Sequence, residues 1–431
     1  MILCYTAFIT KGGSLMRRLP VLICLLFLIA FSGGAEVYAV NYTGGALVVN
    51  DVGETVLPSG RYQRIQILRS DDGQVTGYAA GNYVEGILKY ALLSPEGEAL
   101  SDCILTGLWA AGDGFFAVKD NVFRYVYPSL EVDGTAYSSL TYSGNGKLLS
   151  LTGSVFDDVS DPVGILDSSG FVFDTGIYTL GSLGQYCEGL LALLDATSNL
   201  YGYLDTDSAW VIAPAYRYAG DFQDGLAIVA GAMGYGVIDK TGASLLPAEY
   251  DLILRGDGLF AAVRENALYL MNADLSQTAC VPLESVNAAL AGKYALLSSA
   301  SSTRLLSVSG EALASWDGLV TVSGAGGDAL ILERDGAYQL ITPAGDALSQ
   351  EWDLIYPTGG DLLAYGSRGD TGMKFGLMDR AGQEVTPALY DAINWVAQGL
   401  YCGDISGGAV LLSAEGEVLN TYSAGEEGLS Q

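Results

Sequence analysis

Past an apolar N-terminal segment, the chain alternates short hydrophobic runs with polar turns carrying glycine, asparagine or aspartate. No long stretch in it keeps a helical apolar period, so the pattern predicts strands and tight turns. One unit shows the grammar clearly. "GYGVIDKTGASLLPAEYDLI" at 234–253 returns as "KFGLMDRAGQEVTPALYDAI" at 374–393, offset by 140 residues at every matching position. Each copy holds an apolar run, a turn, a second run containing proline, and a Tyr-Asp pair. A return strand follows a glycine turn in "FQDGLAIV" (222–229), "GDGLFAAV" (256–263) and "AQGLYCG" (397–403).

The turn gives the repeat its ruler. An Asp closes the first run and a Gly stands three residues later: Asp239 with Gly242, Asp379 with Gly382, and Asp167 with Gly170. Asp205 keeps the Asp, with Ser208 in the glycine slot. Other polar residues serve in Asn50–Gly53, Ser94–Gly97, Ser307–Gly310, Thr342–Gly345 and Ser413–Gly416, and Asn272 fits loosely. From Asp167 onward the steps are 38, 34, 33, 35, 35, 37 and 34, so the long echo is four steps of one repeat. The side chain can cap the turn's backbone N–H groups while glycine supplies a positive φ. Pro214, Pro247 and Pro387 are expected near the end of the second strand, where a ladder N–H can be spared. Tyr216, Tyr250 and Tyr390 are expected to pack one repeat on the next. The expectation is an all-β array over residues 40–422, about ten antiparallel repeats of about 35 residues, propeller-like, with an open β-solenoid as the alternative. Residues 121–161 keep strand composition but lose the markers, and 423–431 read as a polar tail.

These units resemble the bacterial WG repeat, whose pattern is Trp-Gly, two apolar residues, Asp, a glycine turn, Val-Ile-Pro and Tyr-Asp. The resemblance rests on 234–253, 374–393 and "LYGYLDTDSAWVIAPAYRYAGDFQDGLAIV" at 200–229. Gly202, Gly236 and Gly376 hold the glycine position. Tyr201, Tyr235 and Phe375 replace the tryptophan, so an aromatic ring is kept. The resemblance implies β-repeat units in extracytoplasmic or surface proteins and no catalytic residues.

The N-terminus predicts export. Met16, Arg17 and Arg18 precede an apolar run at 19–31, and "AEVYA" places Val37 and Ala39 at the −3 and −1 positions of a small-residue cleavage site. Residues 1–39 therefore read as a secretory signal, with translation expected to start at Met16 and the mature chain near Val40. A run of thirteen residues is short for a bilayer span of about 20, so no membrane insertion is expected after cleavage, with an uncleaved N-terminal anchor as the alternative.

Charge and residue choice then exclude whole classes of function. The chain has 49 acidic and 20 basic residues, a net charge of −29. Losing Lys11, Arg17, Arg18 and Glu36 leaves 48 and 17, or −31. Without basic clusters no nucleic-acid partner is expected. There is no histidine, which removes imidazole-based catalysis and metal binding. No P-loop, nucleophile elbow or dinucleotide glycine pattern occurs. Cys103, Cys187, Cys280 and Cys402 lack zinc or disulfide-scaffold spacing and read as buried free thiols. No cofactor is expected. Calcium stays open at the acidic turns "SDDGQ" (70–74), "DFQDG" (221–225) and "GDGLF" (256–260), though "DTDSAW" (205–210) fails the EF-hand pattern at its fifth position.

Two functions from different classes remain. The first is an exported, non-enzymatic binding or scaffold protein whose partner is a protein or a surface glycan. Tyr218, Trp352, Tyr356 and Trp395, near the Tyr-Asp position of their repeats, are its candidate recognition residues, against a role in inter-repeat packing. The second is an extracytoplasmic glycan-active enzyme working with two carboxylates. The adjacent acids Asp71–Asp72, Asp157–Asp158 and Glu426–Glu427 are poor candidates, since strand neighbours point to opposite faces.

Overall fold

The computed structural model describes residues 36–70, 72–112, 114–127, 137, 141–144, 147–150, 164–167, 170–174, 186–195, 197–283 and 287–423. The described residues form no helix and fall into eleven antiparallel sheets of three or four strands, taken in chain order. Sheets 1 to 11 span 37–62, 64–93, 107–126, 141–174, 191–216, 218–250, 252–282, 287–317, 321–341, 354–390 and 392–423. Within each sheet, consecutive strands are neighbours, the meander of a propeller blade. Eleven sheets exceed the expected ten because sheet 3 lies where the turn markers fade.

The Asp turn joins the last two strands of its sheet. In sheet 6 it links Tyr235–Asp239 to Ser244–Tyr250: Asp239 Oδ1 accepts the N–H groups of Thr241 at 2.8 Å and Ala243 at 3.0 Å. In sheet 10, Asp379 Oδ1 accepts those of Ala381 at 2.9 Å and Gln383 at 2.8 Å. Gly242 and Gly382 adopt φ of 84° and 83°, and Ser208 takes the same slot at 61°.

The glycine after the aromatic residue answers to the facing strand. Tyr235 pairs with Tyr250 and Val237 with Leu246, so Gly236 faces a bulge that contains Pro247. The same register recurs as Tyr201 with Tyr216 and Tyr203 with Ile212, and as Phe375 with Tyr390 and Leu377 with Thr386, with Pro214 and Pro387 in the bulges. A Cβ at Gly236 would lie 2.7 Å from Leu246 O, and one at Gly376 2.6 Å from Thr386 O. The three prolines thus sit inside the outer strand, at its bulge, rather than at its end; the bulge is where the missing N–H leaves no ladder partner wanting.

Successive sheets pack face to face through apolar clusters. Tyr250 of sheet 6, which is 8 % exposed, joins Ile253, Phe260 and Ala262 of sheet 7; Tyr390 of sheet 10, at 7 %, joins Ile393, Tyr401 and Val410 of sheet 11. The turn glycines repeat a second contact, each against the sheet before its own. A Cβ would lie 3.3 Å from Ile212 at Gly242, 2.9 Å from Ala279 at Gly310 and 2.6 Å from Val385 O at Gly416.

The ends of the array meet. Val40, Tyr42, Leu47 and Val49 of sheet 1 share one core with Leu400, Cys402, Ala409 and Leu411 of sheet 11. Gly53, the turn glycine of sheet 1, lies against Leu411 as its counterparts lie against their preceding sheets. Thr43 donates its backbone N–H (3.0 Å) and hydroxyl (2.6 Å) to Asp404 Oδ2, and Asp404 is only 5 % exposed. An open solenoid separates its first and last units, so this seam selects the propeller-like ring.

Strand Val37–Tyr42 begins three residues before the expected mature start at Val40. Its carbonyl at Val37 accepts Arg69 Nη2 at 2.8 Å. Residues 1–35 of the expected signal and 424–431 of the expected tail lie outside the described residues.

Candidate binding surface

The first strands of sheets 11, 1, 2 and 3 lie beside one another in turn, as do those of sheets 7, 8 and 9, which marks the first strand as the inner one in these sheets. Along such a strand, one set of side chains enters the inter-sheet core and the alternate set does not. In Ala392–Ala397, Ile393 is buried and Asn394 exposed, while Trp395, on the same parity as Ile393, is 43 % exposed. Trp395 lies across the Gly359–Gly360 turn of sheet 10, where a Cβ on Gly360 would fall 2.5 Å from its ring, so the turn is bare backbone beneath the indole.

The four aromatic candidates divide. Tyr218, on the first strand of sheet 6, is 48 % exposed and touches Tyr235 edge-on with centroids 6.1 Å apart. With Trp395 it forms the accessible pair, although the two stand on separate sheets. Tyr356 is packed between sheets 10 and 11, its hydroxyl donating to Ile393 O at 3.3 Å, and burial pushes its pKa up. Trp352 packs in the seam of sheets 9 and 10, its ring 4.1 Å from that of Tyr365. Its position follows from the Tyr338–Trp352 bridge, which stands in for a fourth strand in sheet 9. Tyr216 is half-buried in the seam of sheets 5 and 6. Trp109 was missed. It sits on the first strand of sheet 3, exposed and stacked on Phe116 at 4.9 Å. Its position on "GLWAA" ahead of "GFFAV" was the available signal, hidden because sheet 3 carries no turn marker.

The acidic turns are occupied by their own backbone. Hydrogen bonds from Thr241 and the turn N–H groups hold the Asp239 carboxyl below its ordinary value. Asp205 Oδ1 accepts from the N–H groups of Asp207 and Ala209. Asp224 is paired to Arg255 at 2.6 Å. Among the described residues no group of three or more Asp, Glu or Cys is placed to hold a metal ion. Asp71, Asp157, Asp158, Glu426 and Glu427 lie outside the described residues.

One place combines acids of opposite tendency. Burial raises the Asp221 carboxyl, opposed by the Cys187 thiol that hydrogen-bonds to it. Glu188 is held below its ordinary value, first by Lys240, whose Nζ lies 2.9 Å from Oε2. Burial, then the charges of Asp221 and Glu188, push the Cys187 thiol up. Glu188 holds φ at 53°, in the left-handed region.

The thiols correct one expectation. All four are unpaired, but only Cys402 is buried; Cys103 and Cys187 are partly exposed, and Cys280 is exposed. Cys280 stands on the outer strand Gln277–Pro282, at a position alternating away from the seam.

Residues 201–230 and 235–269 match the family model of the WG containing repeat. These segments are WG repeats. The second match ends beyond sheet 6, taking in the first strands of sheet 7, so the WG unit is offset from the blade. No curated protein matches the chain. Among solved structures, a eukaryotic initiation factor is similar at TM-score 0.43 and 12% identity, covering 82% of this chain and 95% of that one. BamB from Moraxella catarrhalis gives 0.26 and 13%, covering 72% and 88%. Apo AztD from Citrobacter koseri gives 0.31 and 8%, covering 73% and 93%. The ring reading of this WG-repeat chain stands on its own seams.

Proposed function

We propose that this protein is an exported scaffold whose ring of WG-type sheets presents an interaction surface to a protein or a surface glycan. The observation that carries the reading is the pair of exposed rings on the first strands of their sheets, Trp395 and Tyr218, beside the repeated rings Tyr250 and Tyr390, which are buried. Burial accounts for the second pair; the first keep a large part of their surface in water even though Trp395 covers the Gly359–Gly360 turn and Tyr218 meets Tyr235. Large aromatic faces that stay wet in the free protein are the usual anchors of stacking and peptide contacts. The 29 excess negative charges favour solubility outside the cell and disfavour anionic partners. Export is supported by the Arg-led apolar segment at 16–31.

A glycan array and an affinity capture, each run with wild type, Trp395→Ala and Tyr218→Ala, test the reading. Binding that falls at least tenfold in one variant, with an unchanged melting temperature, supports it; binding indifferent to both overturns it. The second reading, a carboxylate-dependent glycan hydrolase, would draw on Asp221 and the ion-paired Glu188 beside Cys187. A hydrolysis screen with Asp221→Asn as control decides between the two: turnover lost in that variant supports the enzyme.

A further inference from the structure

The indole of Trp395 and the guanidinium of Arg380 meet at one residue, Gly360, in the turn between Leu354–Pro357 and Leu363–Gly369 of sheet 10. The turn itself is held firmly. Thr358 Oγ1 accepts the Gly360 N–H at 3.3 Å and donates to Leu362 O at 2.7 Å. The Leu362 N–H in turn reaches the Tyr401 hydroxyl of sheet 11 at 3.0 Å. A Cβ at Gly360 would fall 2.5 Å from Cδ1 and 2.8 Å from Nε1 of Trp395, so the pyrrole edge of the indole rests on this backbone.

Arg380 is positioned with the same care. Its Nη2 donates to Gly360 O at 3.3 Å and its Nε to Ala325 O of sheet 9 at 3.1 Å. Two carbonyls from different sheets thus fix the plane of the guanidinium. Its Nη1 lies 3.8 Å from Oδ1 of Asp361, the residue after Gly360, whose side chain is 79 % exposed. That separation is beyond hydrogen-bond length, so the carboxylate keeps acceptors and Nη1 keeps donors to give. An exposed indole, a carboxylate and a fixed guanidinium therefore converge within one residue of Gly360.

We propose that this corner is a subsite for a neutral pyranose of a glycan, with Asp361 setting its specificity. The inference rests on the reading of Trp395 as a recognition residue and narrows its ligand to a neutral glycan. Acceptors and donors side by side, with opposite charges that cancel, suit a ligand of many hydroxyls: a hydroxyl donates to the carboxylate while its neighbour accepts from the guanidinium. The C–H face of the sugar ring stacks on the indole. An anionic sugar meets Asp361 and the chain's 29 excess negative charges, and a cationic one meets Arg380. Because the turn and the guanidinium are already fixed, little order has to be gained on binding.

Calorimetric titration of the full mature chain with tetramers of glucose, galactose, N-acetylglucosamine and galacturonate tests the site. At least one neutral tetramer should bind, and the galacturonate tetramer should bind about tenfold more weakly or not at all. Asp361→Ala, at an exposed position, should weaken the neutral tetramer about tenfold at an unchanged melting temperature. Asp361→Asn should narrow the gap between neutral and anionic tetramers, Trp395→Ala should abolish binding, and Tyr218→Ala should leave it unchanged. Preference for galacturonate, neutral binding indifferent to Asp361→Ala, or no binding of any tetramer would overturn the proposal. The two readings fail separately: a captured protein partner lost in Trp395→Ala, with no tetramer bound, would leave the interaction surface standing and remove the sugar subsite.

Discussion

Alanine at Gly382 imposes two costs that can be measured apart. The first is backbone strain: φ at 83° is left-handed, and an L-residue there loses about 1–2 kcal/mol. The second is a collision between sheets. The new Cβ would lie 2.1 Å from Leu348 O, a backbone atom belonging to the preceding repeat, so one segment must move. Overpacking of that kind costs about 1–3 kcal/mol, which brings Gly382→Ala to about 2–5 kcal/mol. Gly242 has the same φ of 84° but meets only the Ile212 side chain, at 3.3 Å. Gly258, with φ at 71°, has nothing within 4 Å. Both of these should show the strain alone, about 1–2 kcal/mol. Urea unfolding of the three variants and wild type, compared at equal slope, gives the differences. Gly382→Ala should exceed Gly258→Ala by at least about 1 kcal/mol, with Gly242→Ala beside Gly258→Ala. If all three agree within about 0.5 kcal/mol, the close approach of the turn to the preceding repeat is wrong.

Tyr250→Ala and Tyr390→Ala should each cost about 3–5 kcal/mol in the same assay, because both rings fill equivalent seams; a loss below about 1 kcal/mol in either would refute the equivalence. A thiol reagent at neutral pH should modify Cys280 in the native protein and reach Cys402 only on unfolding, since burial and the neighbouring Asp404 push the Cys402 thiol up to about 12. Rapid native labelling of Cys402 would contradict the closed seam. The mature N-terminus should fall at or within a few residues of Val40, behind Val37 and Ala39 at the −3 and −1 positions. The intact mass of the exported chain checks this, and a full-length product retained in the membrane would refute it.

Local chemistry was legible in the sequence where one residue does one job within a few positions. The Asp239 and Asp379 turns, their glycines, and the strands they join could all be read from spacing alone. The prolines were legible as exceptions but placed wrongly, because a bulge is a relation between two strands and leaves no mark in one. Cys280 was misjudged for a related reason: an outer strand has only one packed face, and its composition does not say which. Sheet 3 was hidden by the loss of its turn marker, and Trp109 with it. Closure lay furthest out of reach. Thr43 and Asp404 are 361 residues apart, and neither belongs to the repeat pattern. For the candidate surface, the sequence supplied Tyr218 and Trp395 but could not separate them from Trp352 and Tyr356, since all four fall near the Tyr-Asp position of their repeats and only packing between sheets distinguishes them.

The central claim is that the array closes on itself, and a spin-label distance between its ends tests it most directly. Labels at Val52→Cys in sheet 1 and Val418→Cys in sheet 11 occupy exposed positions flanking the Gly53–Leu411 contact. Cys103, Cys187 and Cys280 would first be replaced by serine so that only the new sites react. Adjacent packed sheets are about 10 Å apart, so the closed ring predicts a separation on the order of 10–20 Å between the labels. Eleven sheets stacked without closure would place them on the order of 100 Å apart, and a distance of that size would contradict the account.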